Sequence, residues 1–167
     1  MTQGTWLPLL QRQTAPGAPP PSWDEMLVGH DFGLLSPDEI QGWVRAQDFP
    51  FESCRALAAL EGEGLICFEK ALWDAITEAT GKAPRPGGQR WAKAQDRWRV
   101  ALLKDALESP VSPEALAVLV EAIYEAVGCP EDMLDLWRRP AAGPSKGTAD
   151  REKVQAFLTR WETAASF

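Results

Sequence analysis

The residues able to do chemistry are few and scattered. His30 is the only histidine of the 167-residue chain. A nucleophile–histidine–acid triad would need it, with Ser36, Ser53 or a cysteine as nucleophile. The His30-Asp31 pair reads as a turn after a helix, where the dipole favours a protonated imidazole, so a structural or solvated role outweighs catalysis. The cysteines are Cys54, Cys67 and Cys129, with no Cys-x-x-Cys pair among them. An odd count does not fit a disulfide framework, and one histidine with dispersed cysteines excludes the usual zinc patterns. Glu121 and Glu125 share a helix face at i,i+4, and Asp132 and Asp135 lie at i,i+3. A carboxylate metal site would need more inward-facing ligands beside them, so the plainer reading is a solvated acidic face. Gly87-Gly88 after Pro86 lacks the Gly-x-x-x-x-Gly-Lys-Ser/Thr order of a phosphate loop. The sequence names no catalytic residue, no metal ligand and no cofactor.

What it does carry is charge sorted into blocks. Residues 22–80 hold twelve acids and three bases, a net of −9. Residues 81–107 hold seven bases and two acids, a net of +5. Residues 108–135 hold seven acids and no base, and the formal net charge of the chain is −7. A single-sign field over tens of residues steers partners of opposite sign and repels those of like sign. The basic stretch Arg85, Arg90, Lys93, Arg97, Arg99 and Lys104, interleaved with Trp91 and Trp98, invites a nucleic-acid reading. The tryptophans fall on a different helix face from most of the bases, however, and the flanking acidic blocks weaken phosphate attraction. Pairing of this helix with the acidic helices is the better account, and nucleic acid is not an expected partner.

At this length one domain with a real core is the default. Eight tryptophans against one tyrosine point to a Trp-rich core, with one or two left as interface anchors. No apolar run reaches the roughly 18–20 residues that span a membrane. The start, Trp6-Leu7-Pro8-Leu9-Leu10, has neither the basic region nor the length of a signal peptide. A cytoplasmic location and no membrane partner are the expectations.

The elements that must position these groups are helices. Residues 14–21, TAPGAPPP, read as a stiff linker. Residues 1–21 are therefore expected to be a flexible Pro-rich segment, with Trp6, Leu9 and Leu10 able to dock as an apolar clip. Residues 22–167 are expected to form the domain. Ser22-Trp-Asp-Glu25 and Ser36-Pro37-Asp38-Glu39 are capping boxes, and Ser112-Pro113-Glu114 is a third start. Apolar spacing then predicts helices at about 22–29, 36–47, 52–61, 64–80, 89–108, 112–127, 130–138 and 149–164. In the 64–80 helix, Leu65, Phe68, Leu72 and Ile76 are read as the apolar face, with Ile66 and Trp73 beside them. Pro/Gly loops are expected over 81–88 and 140–149. No period-two run flanked by hairpin turns is present. The expected fold is all-α, a single compact bundle of six to eight helices with antiparallel neighbours. Trp98 and Trp161 are expected to be buried.

The order of these pieces resembles a bacterial family known as domain of unknown function 2247. The resemblance runs from Trp23 to Trp161. It includes Trp23, Gly29 and Leu34-Leu35-Ser36-Pro37, then Arg97-Trp98-Arg99-Val-Ala-Leu-Leu-Lys104, then Tyr124 with Cys129-Pro130-Glu131-Asp132-Met133. Cys129 stands where that family usually has an aromatic, and Arg139-Pro140 follows Trp137 where Tyr-Met-Pro is usual. The resemblance implies a helical bacterial cytoplasmic protein of the kind found beside secreted-toxin genes, hence an immunity role.

Charge and resemblance together favour a non-enzymatic acidic binding protein that neutralises a basic protein, such as a toxin domain. The residues expected to meet it are Asp38, Glu39, Asp48, Glu121, Glu125, Glu131, Asp132 and Asp135. The alternative is a small helical enzyme or nucleotide-handling protein working through clustered carboxylates. A convex acidic face supports the first reading; acids converging in a concave pocket support the second.

Overall fold

Helix-start chemistry dominates the chain, and the computed structural model, which describes residues 6–12, 19–62, 64–138 and 147–164, is mostly helical. The described elements are α1 (Trp6–Arg12), α2 (Trp23–Asp31), α3 (Pro37–Gln47), α4 (Glu52–Ala59), α5 (Leu65–Thr80), α6 (Gln89–Glu108) and α7 (Pro113–Ala126). A 3-10 helix (Glu131–Leu136), strands β1 (Trp137–Arg138) and β2 (Thr148–Ala149), and α8 (Arg151–Ala164) complete them. The fold is all-α. Most of the linker expected over 14–21 and of the loop expected over 140–149 lies outside the described residues.

Cα proximity divides the chain into two units, the first comprising residues 1–7 and 21–94 and the second residues 8–20 and 95–167. The boundaries fall inside α1 and inside α6.

In the first unit both capping boxes form. The Ser22 backbone N–H donates to Glu25 Oε2 at 2.7 Å, and that of Ser36 donates to Glu39 Oε2 at 2.8 Å. Trp23, Trp43 and Phe49 pack as a triad with ring centroids 5.0–5.4 Å apart. α4 packs against α3 and α5. The last turn of α4 is closed from α3. Gln41 Nε2 donates to the carbonyls of Leu57 and Leu60 at 2.9 and 2.7 Å, and Arg45 forks onto the Ala58 carbonyl. The Leu57 carbonyl also accepts from the Leu60 N–H at 3.3 Å, and the side chains of α3 supply donors that the end of a helix lacks. Gly81 ends α5 at φ +78°, a conformation that costs other residues about 1 kcal/mol or more. Two sequence expectations shift here. α2 runs on to Asp31, which puts His30 inside its last turn. On α5 the buried side is Phe68, Leu72, Ala75 and Ile76, whereas Leu65, Ile66 and Trp73 are exposed.

In the second unit α7 packs against the 3-10 helix and both strands. Ser112 caps α7, its hydroxyl accepting from Ala115 N–H at 3.2 Å. The helix expected over 130–138 is instead a 3-10 turn followed by extended backbone at Trp137. Trp137 pairs with Ala149 in a two-residue antiparallel ladder, and its buried ring lies 5.1 Å from Tyr124. Leu9 and Leu10 of α1 are buried, within the segment expected to be flexible, and Arg97 donates to the carbonyls of Pro19 and Pro20. Trp98 is fully buried; Trp161 is only half-buried.

Leu10→Ala and Trp98→Ala are each expected to cost about 3–5 kcal/mol, since both side chains leave cavities in close-packed surroundings. Urea denaturation of the full chain measures this. A loss below about 1 kcal/mol at Leu10 would mean that α1 contributes nothing to the packed structure.

Candidate functional site

The second unit is organised around a buried guanidinium. Arg99 lies midway along α6 and is 3% exposed. A cation removed from water needs partners on every side. Nη1 donates to Asp132 Oδ1 and Nη2 to Asp96 Oδ1, both at 2.7 Å. Two rings from α8 flank it, Trp161 with its centroid 4.4 Å from the guanidinium carbon and Phe157 at 5.2 Å. Such stacking stabilises a desolvated cation by about 2 kcal/mol. Nε is enclosed without a hydrogen-bond partner among the described residues. Burial raises the carboxyl of Asp96 above the usual range. The charge of Arg99 opposes that rise, and the charge of Asp132 adds to it.

This arrangement gives the Cys129-Pro130-Glu131-Asp132-Met133 segment a structural purpose. Gly128 and Cys129 take successive left-handed conformations, φ +83° and +56°, which turn the chain sharply out of α7. Gln95 on α6 donates to the Val127 carbonyl at 2.6 Å and so satisfies the end of α7. Pro130 then starts the 3-10 helix, Met133 inserts fully buried, and Asp132 reaches Arg99. Cys129 itself is exposed.

Of the acids expected to meet a partner, five lie together in this unit. Glu125, Glu131 and Asp135 are exposed; Glu121 is half-buried and engaged; Asp132 is tied to Arg99. Glu114, which the sequence did not single out, is exposed at the start of α7. It lines a groove of about 670 Å³ with Asp135, Asp150, Arg151 and Lys153. Among the described residues no group of three or more His, Cys, Asp or Glu side chains is placed to hold a metal ion.

The other three acids belong to the first unit. Asp38 is exposed in the first turn of α3, and Glu39 is consumed by its capping box. Asp48 caps the C-terminus of α3 at φ +50°, a conformation Asp tolerates better than most residues. His30 Nε2 lies 3.2 Å from Glu69, and its ring meets the edge of Phe68. The proposed nucleophiles are engaged elsewhere. Ser36 is in the capping box, and the Ser53 hydroxyl and backbone N–H both donate to Glu78. Those two donors hold the Glu78 carboxyl below the usual range. Cys54 is buried, and burial, with Glu78 adding, pushes its thiol up, away from the reactive thiolate. The basic helix is partly neutralised here too, Arg90 forking onto Asp24 at 2.9 and 2.5 Å. No described helix is long and apolar enough to cross a membrane.

Arg99→Ala is expected to destabilise the fold by about 3 kcal/mol, and Arg99→Lys to recover less than half of that, because an ammonium cannot fork between two carboxylates. Chemical denaturation at neutral pH measures both. Asp96 also sets a pH dependence. Its folded carboxyl holds a proton where the unfolded one, at about 3.9, has lost it. Its contribution to stability therefore rises as the pH falls through the folded value and levels off below the unfolded one. Asp96→Asn keeps an acceptor for Arg99 and removes the titration. Compared with it, the native chain should gain stability on acidification in that window; parallel pH profiles would show the assignment wrong.

No family model, curated protein or solved structure matches this chain.

Proposed function

We propose that the chain is a non-enzymatic binding protein of the immunity type, related to the domain of unknown function 2247 family. Its acidic face on α7 and the 3-10 helix docks a basic cytoplasmic protein, such as the catalytic domain of a toxin. The observation that carries this reading is the way the acids of residues 108–135 divide. Asp132, though still 44% exposed, is paired with the buried Arg99, while Glu114, Glu125, Glu131 and Asp135 are exposed with no base in the same stretch of sequence. On α7, Glu125 also stands at i,i+4 from Glu121, a like-charge spacing that destabilises a helix by a few tenths of a kcal/mol. A cationic partner relieves that repulsion, and a surface with an excess of acids accelerates its encounter.

The test is a triple reversal, Glu125, Glu131 and Asp135 each to Lys, which leaves Arg99 and its partners in place. Partners captured from the host by the native chain are identified, and their association rate is measured against salt. Reversal is expected to slow association by about 10- to 100-fold at low salt and to flatten its salt dependence, with the melting curve nearly unchanged. If native and reversed chains bind the same partner at the same rate, or neither captures any, the acidic-face reading fails.

A further inference from the structure

α5 in the first unit is amphipathic in an unusual sense: its outward side also carries large apolar groups. Phe68, Leu72, Ala75 and Ile76 are buried. On the side exposed to solvent, Ile66 is 83% exposed and Trp73 48%, two turns or about 10.5 Å apart along the axis. Glu69 and Lys70 stand between them and are exposed. At the helical repeat, all four positions fall within about 100° of arc.

Their order is self-complementary. A twofold axis crossing the helix between Glu69 and Lys70 brings an antiparallel copy into a defined register. Ile66 then faces Trp73 of the copy and Glu69 faces Lys70, each pair occurring twice, as an isologous contact requires. We propose that two copies of this chain associate through α5 in this antiparallel register. Burial of the Ile66 and Trp73 side chains drives the association. The charges select its direction, because a parallel pair would set Glu69 against Glu69 and Lys70 against Lys70. Within one chain Glu69 meets His30 at 3.2 Å and Lys70 meets Asp74 at 2.6 Å, yet these side chains remain 52% and 76% exposed. A carboxylate accepts several hydrogen bonds and an ammonium donates three, so both retain capacity for a second copy. Leu65, 57% exposed, extends the apolar rim. One helix face is a small interface, so the dimer is a micromolar one.

Sedimentation of the full chain under reducing conditions, which removes disulfide crosslinks through the exposed Cys67 and Cys129, tests this up to the high-micromolar range. The expected mass rises toward twice the 18.4 kDa of one chain. Ile66→Asp and Trp73→Ser, both at exposed positions, should abolish the rise while circular dichroism stays native. Glu69→Lys and Lys70→Glu should each weaken association by about tenfold, and an equimolar mixture of the two should restore it, since opposite charges then face each other across the axis. A native chain that stays monomeric overturns the proposal, including the case in which a different protein occupies α5. So does a dimer indifferent to Ile66 and Trp73, or a mixture no tighter than its components.

Discussion

A guanidinium taken out of water constrains the second unit more than any other group. Arg99 sits on α6, its carboxylates come from α6 itself and from the 3-10 helix, and its aromatic faces come from α8. Each of those elements is short or poorly apolar on its own terms. The desolvation of the cation is offset only when all of them are in place, so the interaction favours one arrangement over looser alternatives. Charge sets the position of the 3-10 helix as much as apolar burial does: Met133 fills space, and Asp132 fixes register.

The same economy governs the helix ends. Orphan carbonyls are met by long polar side chains from neighbouring elements: Gln41 and Arg45 for α4, Gln95 for α7, and Arg151 for the end of α6 through Leu107 and Ser109. Several bases that look like a nucleic-acid footprint in sequence are therefore committed. Arg90 forks onto Asp24, Arg97 holds Pro19 and Pro20, and Arg99 is buried. The acidic blocks are treated differently. Single acids are recruited for caps and pairs, and others, among them Glu125, Glu131 and Asp135, are exposed to solvent.

The helices themselves were largely legible. Ser22-x-x-Glu25 and Ser36-x-x-Glu39 give their starts because the capping box is local chemistry, complete within four residues. α6 was readable end to end from its apolar spacing and the Pro/Gly stretch before it. α1 was hidden because the Pro-rich run after it suggests an extended segment, and only packing makes Leu9 and Leu10 worth ordering. The extended Trp137 was hidden for a similar reason. Its strand partner, Ala149, is far along the chain, and pairing at that separation leaves no trace in local periodicity.

The sequence by itself determined the helical class, the caps and the blocks of charge, because each depends on neighbours within a turn or on summed composition. Tertiary structure decided which charges are spent. Arg99 and Asp132 look like ordinary members of their blocks, and only the burial of Arg99 and the 2.7 Å contact that Asp132 makes with it set the pair apart from exposed acids such as Glu125 and Asp135. On α5, spacing already chose Phe68, Leu72 and Ile76 for the inner side, and the structure buries them. What only the packing against α4 decided is that Leu65, at the end of that stripe, turns outward with Ile66 and Trp73.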